Sequence, residues 1–188
     1  FSFTCLKAKE NQVLFVVGTR PEAIKMLPLY KTFRKNDINS KLCFTGQHNS
    51  LANDVFSLFE VKPDFNFKIM KKNQNLTYIT SSILVKMNDL LKKITPSLVI
   101  VQGDTTTAMT AALAAFYEKI PVAHIEAGLR TNDIFFPYPE EINRSIISKI
   151  ASFHFAPTQL AKENLLKENI DKNKIFLVGN TVLDSLFF

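Results

Sequence analysis

Two cysteines in 188 residues, Cys5 and Cys43, are too few for a disulfide framework, and they make a reducing cytoplasm the default compartment. No apolar run reaches the ~18 residues that a membrane helix needs, so no membrane partner is expected. Three scattered histidines and two cysteines give no metal-ligand spacing, so neither a metal nor a cofactor is expected. There is no Ser-His-Asp layout. The lysines form no single basic stripe with interleaved aromatics, as a single-strand binder would show. The net charge of +6 is therefore read without nucleic acid. A site for an anionic metabolite needs only two or three of these charges. Repeats, low-complexity tracts and proline-rich linkers are also lacking.

What is present is ordinary for a globular chain: 46% hydrophobic and 21% charged residues, in a length that supports one sizeable core. Residues 1–12, FSFTCLKAKENQ, lack the layout of a signal peptide and read as a leftover extension. From residue 13 onward, short apolar runs alternate with longer segments of helical period. Strands are expected at 13–17, 41–45, 65–69, 97–101, 121–125, 153–156 and 174–178. Between them, Leu76, Ile79, Ile83, Met87, Leu90 and Ile94 recur three or four apart, as on one helix face. Helices are also expected at 22–35, where Pro28 should kink the helix, and at 49–59, 105–118, 140–150 and 158–168. The alternation predicts an α/β fold, a doubly wound parallel sheet with helices on both faces. Ligands of such sheets bind beyond the carboxyl ends of the strands.

Four post-strand segments carry the candidate chemistry. Gly18-Thr-Arg-Pro-Glu-Ala-Ile-Lys25 puts a glycine turn before a helix start, whose free N–H groups favour an anion. Arg20 and Lys25 add charge there. It is neither a dinucleotide fingerprint nor a P-loop. Asp104, in QGDTTT, is either a helix N-cap or a site carboxylate. Glu126, in HIEAGLRT, must be paired or functional if buried, and Arg130 could be its partner. His124 reads as a core histidine. In FFPYPEEINR, Glu140 and Glu141 suit a helix first turn. Together, carboxylates at 104, 126 and 140 facing the 20–25 turn suit proton transfer on a phosphorylated or nucleotide-bearing substrate.

Five stretches, VLFVVGTRPEAIK, VQGDTTTAMTAALAAFY, PVAHIEAGLRT, YPEEINR and VGNTVLD, resemble, in order, the non-hydrolysing UDP-N-acetylglucosamine 2-epimerases. The resemblance runs from about residue 13 to 188. It implies the Rossmann-like N-terminal half of a two-domain GT-B-type fold, with the nucleotide-binding C-terminal domain to be supplied in cis or in trans. It implies UDP-sugar as substrate, catalysis by Asp104, Glu126 and Glu140, and substrate contacts from Arg20, Lys25 and Arg130. It further implies a regulatory site at Gln47, His48 and Gln74, and a homodimer. Asn73 and Asn75 depart from the family's pattern by replacing glycines or small residues, which puts the regulatory loop's geometry in question. The alternatives are an inactive truncated or split-gene domain and a GT-B glycosyltransferase half. The 188 residues alone are expected to be inactive.

Overall fold

The computed structural model describes residues 11–47, 50–183 and 185, with the backbone alone for 50–53. Seven strands form one sheet: β1 (Val13–Val17), β2 (Ser40–Phe44), β3 (Phe65–Asn66), β4 (Leu98–Gln102), β5 (Val122–Ile125), β6 (Phe153–Ala156) and β7 (Ile175–Leu177). Every pairing is parallel and the order is β3-β2-β1-β4-β5-β6-β7. The intervening helices are α1 (Arg20–Lys35), α2 (Ser50–Leu58), α3 (Leu76–Ile94), α4 (Thr106–Tyr117), α5 (Glu140–Ile150) and α6 (Gln159–Lys167). The doubly wound α/β architecture expected from the alternation is therefore present.

β1 shows why the central strands carry unbroken apolar runs. All five of its residues are buried, because both sheet faces are covered. Leu14 and Val16 pack with α3 and α4 residues such as Met87 and Ala111, while Val13, Phe15 and Val17 pack with α1 residues such as Met26 and Leu27. Alanines dominate the buried face of α4, which lets that helix lie close to the sheet. Phe15 adds edge-to-face contacts with Tyr30 and Phe33 of α1. Helix α1 continues through Pro28, which has no N–H to offer the carbonyl of Ile24. Ser185 Oγ donates to that carbonyl instead, at 2.7 Å.

The strand order sets the place of the site. β1 leads leftward to β2, whereas β4 leads rightward to β5. Their adjacent carboxyl ends form a topological switch point, where open α/β sheets bind ligands. The turns after β1, β4 and β5 stand side by side there.

His124 and His154 are paired across β5 and β6, both essentially inaccessible to solvent. His124 Nε2 lies 2.7 Å from the Gly103 carbonyl, and neither Nδ1 has a hydrogen-bond partner among the described residues. This is the core role expected of His124. Burial, opposed by the Gly103 bond and reinforced by His154, Arg130 and Arg144, lowers His124 to about 3. Burial likewise lowers His154 to about 4, with Lys174 and Arg130 adding to it and the Ala151 carbonyl and Glu168 opposing. The unfolded chain, titrating near ~6.5, binds these protons first. The pair therefore costs nothing above that pH and destabilises the fold progressively as pH falls toward 4 and 3. Thermal melts should show the midpoint dropping between pH 6.5 and 4, and His124→Gln combined with His154→Gln should flatten that slope.

Candidate active site

The site is assembled around a turn that only glycine can make. A Cβ on Gly18 would stand 2.1 Å from Thr107 Oγ1 and 2.7 Å from Thr45 Oγ1. The β1–α1 turn therefore rests directly on the start of α4. Thr19 is the N-cap of α1, Pro21 lies in its first turn, and Arg20 projects as an exposed side chain. Arg20, Pro21, Ile24, Lys25 and Val182 line a cavity of about 320 Å³.

Lys25, one turn further along α1, reaches Glu126. Its Nζ lies 2.6 Å from Glu126 Oε2, with both side chains largely shielded from water. Gln102 Nε2, at the end of β4, donates to the same oxygen. Asn180 Nδ2 donates to Oε1 at 3.1 Å. Lys25, not Arg130, is thus the partner of Glu126. Glu126 itself adopts φ +65°, a left-handed conformation costing a residue with a β-carbon roughly 1–2 kcal/mol.

Asp104 follows β4, but the cap of α4 is Thr105, whose side chain accepts from the Ala108 N–H. The Asp104 carboxylate is left to face Arg144 Nη2, at 3.0 Å. Asn143 Nδ2 holds the Asp104 carbonyl, at 2.9 Å. Arg144 is buried, and its Nε also approaches Glu141. Glu141 in turn accepts from the N–H groups of Thr131 and Asn132. Burial raises the Asp104 carboxyl above the ordinary range; Arg144 opposes this, Glu140 and Glu126 add to it, and Lys25 opposes. These interactions bring Lys25, Asp104, Glu126 and Glu140 into one electrostatic neighbourhood. Glu140, half-buried, is the first residue of α5, and its carboxylate accepts no hydrogen bond among the described residues.

Arg130 stands apart. Its guanidinium grips Glu168 at 2.5 and 3.0 Å and donates to Ser148 Oγ. That pairing is the leading influence holding the Glu168 carboxyl below its usual range. The geometry gives Arg130 a scaffold role between the β5–α5 loop and α6, and the expected substrate contact finds no support in it.

Of the expected regulatory residues, Gln47 and Gln74 meet: Gln74 Nε2 donates to the Gln47 carbonyl at 2.9 Å. Thr107 Oγ1 donates to Gln47 Oε1 at 2.7 Å. His48 lies outside the described residues. Asn73 adopts φ +57°, a left-handed geometry that asparagine tolerates better than most residues, so the loop keeps its turn without glycine. Asn75 caps α3 by accepting from the Tyr78 N–H. The sequence pattern does not pick out Gln102 and Asn180 as participants. Their only sequence signal is their place inside the VQGDTTT and VGNTVLD stretches.

Fold and edge together define a Rossmann-like domain with its polar cluster at the switch point between β1 and β4. The UDP-N-acetylglucosamine 2-epimerase family model matches residues 31–188, and the chain belongs to that family. It is 51% identical over 179 residues to a UDP-N-acetylglucosamine 2-epimerase of Campylobacter jejuni, covering 95% of this chain and 47% of the relative. To that of Neisseria meningitidis it is 52% identical over 176 residues, covering 93% and 47%. The crystal structure of the UDP-GlcNAc 2-epimerase from Neisseria meningitidis bound to UDP-GlcNAc superposes with a TM-score of 0.91 at 51% identity, covering 94% of this chain and 48% of that one. The Methanocaldococcus jannaschii enzyme in complex with UDP-GlcNAc and UDP gives 0.89 at 40%, covering 94% and 48%. Acinetobacter baumannii MurG shares the fold alone, with a TM-score of 0.64 at 11% identity and coverage of 90% and 46%. These neighbours mark the sheet as a Rossmann-like half of a GT-B-type fold. The chain spans about half the length of the relatives it matches.

Gly18→Ala should destabilise the chain by about 1–3 kcal/mol through overpacking, measured by urea denaturation.

Proposed function

We propose that this chain is the N-terminal catalytic half of an enzyme interconverting UDP-N-acetylglucosamine and UDP-N-acetylmannosamine in the cytoplasm. The observation that carries the reading is the convergence of Lys25, Asp104, Glu126 and Glu140 at the switch point. The names of its relatives, about half of whose length the chain spans, supply the substrate class.

The proton on C2 of the sugar is not acidic. Breaking the anomeric C–O bond to UDP builds oxocarbenium character and acidifies it. One group then removes the C2 proton, which leaves 2-acetamidoglucal and free UDP. In the return step a UDP oxygen bonds to C1 and a proton reaches C2 from the opposite face. Departing UDP needs cations and helix N-termini aimed at its charge. Arg20, exposed beside the 320 Å³ cavity at the start of α1, is suited to that. The carboxylates differ in what they can do. Glu126 already accepts from Lys25, Gln102 and Asn180, so its place is to fix Lys25. Asp104, raised by burial, and Glu140, with no hydrogen bond to its carboxylate among the described residues, are the proton carriers.

A diphosphate held on one side only loses most of its orientation. The isolated chain therefore has negligible turnover and needs a second half, in cis or in trans. Gln47 and Gln74 form part of a regulatory UDP-sugar site, and the working assembly is a homodimer.

The test is an interconversion assay on the chain alone and co-expressed with the uncovered half of the Neisseria meningitidis relative. The pair should turn over and the chain alone should not; ordinary turnover by the 188 residues would refute the requirement for a second half. In the pair, Asp104→Asn and Glu140→Gln should each lower turnover by about 10²–10⁴-fold, and Glu126→Gln, which loosens Lys25, should lower it as well. Activity per folded molecule that stays unchanged in all three would remove the catalytic assignment.

A further inference from the structure

The most buried carboxylate at this edge plays no part in the chemistry above. Glu22 is 1% exposed. Its Oε2 accepts from the Gly18 N–H at 3.0 Å and from Thr19 Oγ1 at 2.7 Å. Its Oε1 accepts from Thr105 Oγ1 at 2.8 Å, 83 residues away in sequence. Burial raises its carboxyl, and these hydrogen bonds pull the other way.

A glutamate three residues after a helix N-cap usually closes a capping box, in which the cap hydroxyl bonds the helix N–H while the glutamate reaches back. Here the Thr19 side chain caps no N–H of α1 and turns its hydroxyl to Glu22 instead. Thr105 completes a chain: its hydroxyl donates to Glu22 while accepting from the Ala108 N–H, as the cap of α4. Asp104 is the residue before it. On the other side of the same seam, Gly18 rests against Thr107, which bonds both Thr45 and Gln47. The turn bearing Arg20 and Lys25 and the turn bearing Asp104 therefore meet through Glu22.

We propose that Glu22 is a positioning residue, a clamp from the β1–α1 turn to the N-terminus of α4 that fixes the spacing between the cationic turn and Asp104. It touches no substrate. Its effect on turnover rests on the epimerase reading, but the clamp itself does not.

The deciding measurement is amide hydrogen exchange on the full 188-residue chain. Glu22→Ala should speed exchange about tenfold or more at Gly18, whose acceptor is lost, and also at Ala108 and Met109 in α4. Neither α4 amide bonds Glu22, so only release of Thr105 reaches them. Thr105→Val should speed exchange at Gly18 across the seam, and Thr105→Ser should restore it. If Glu22→Ala does not fold, the Thr105 pair decides alone. Fast exchange confined to residues 18–23 in Glu22→Ala, wild-type exchange at Gly18 in Thr105→Val, or uniformly faster exchange throughout the molecule would overturn the clamp.

The turnover arm uses the co-expressed pair. Glu22→Ala should lower kcat about tenfold or more while KM changes less, since the geometry between reacting groups is what loosens. Equal kcat in folded Glu22→Ala would deny the clamp any role in positioning. A wild-type pair without turnover would sink the epimerase reading, and the exchange result would still decide the clamp.

Discussion

The contact between Lys25 and Glu126 joins residues 101 positions apart, and it can exist in only one kind of sheet. Lys25 descends from the turn after β1, and Glu126 follows β5. β4 must lie between those strands, running in the same direction, for Gln102 at its end to reach the same carboxylate. A shielded carboxylate without such partners would be costly to fold around. The strand order and the parallel direction of all three central strands are thus bound up with one ion pair. So is the small-residue face of α4, which lets the adjoining turn sit against Thr107.

Around that pair, three carboxylates of similar intrinsic acidity have been given different surroundings. Glu126 is surrounded by donors. Asp104 is tied to a buried arginine yet crowded by its own kind. Glu140 begins a helix with no hydrogen bond to its carboxylate among the described residues. Three acids that would be alike in water are thereby made chemically distinct by what each one faces.

Much of this was legible in the residues. The central strands, buried on both faces, announced themselves as apolar runs, and the α3 span fell where its period placed it, at Leu76–Ile94. Departures came at the margins. The run at 65–69 is regular strand only at Phe65 and Asn66; Lys68 turns to φ +50°, although Phe67 and Ile69 still donate to the Phe44 and Thr45 carbonyls. Lys174, expected to open β7, instead ends a 3-10 turn begun by the cap at Asp171. Lys25, Asp104 and Glu126 could be placed because residues following parallel strands share one edge. Their partners could not. Asp104 and Thr105 are both competent caps, and only the backbone decides between them. The grip of Glu168 on Arg130 and the span from Glu22 to Thr105 depend on register between distant strands, which no local pattern encodes.

The left-handed backbone of Glu126 sets local strain against side-chain contacts at this position. A glycine would relax the turn and drop the conformational penalty, yet it would also remove the only group that Lys25 pairs with among the described residues. Strain of roughly 1–2 kcal/mol is thus set against an ion pair and two further hydrogen bonds to the same carboxylate, and those contacts hold the backbone in its costly shape. The bend after β5 is therefore a local cost that the domain carries for the sake of a contact between distant strands.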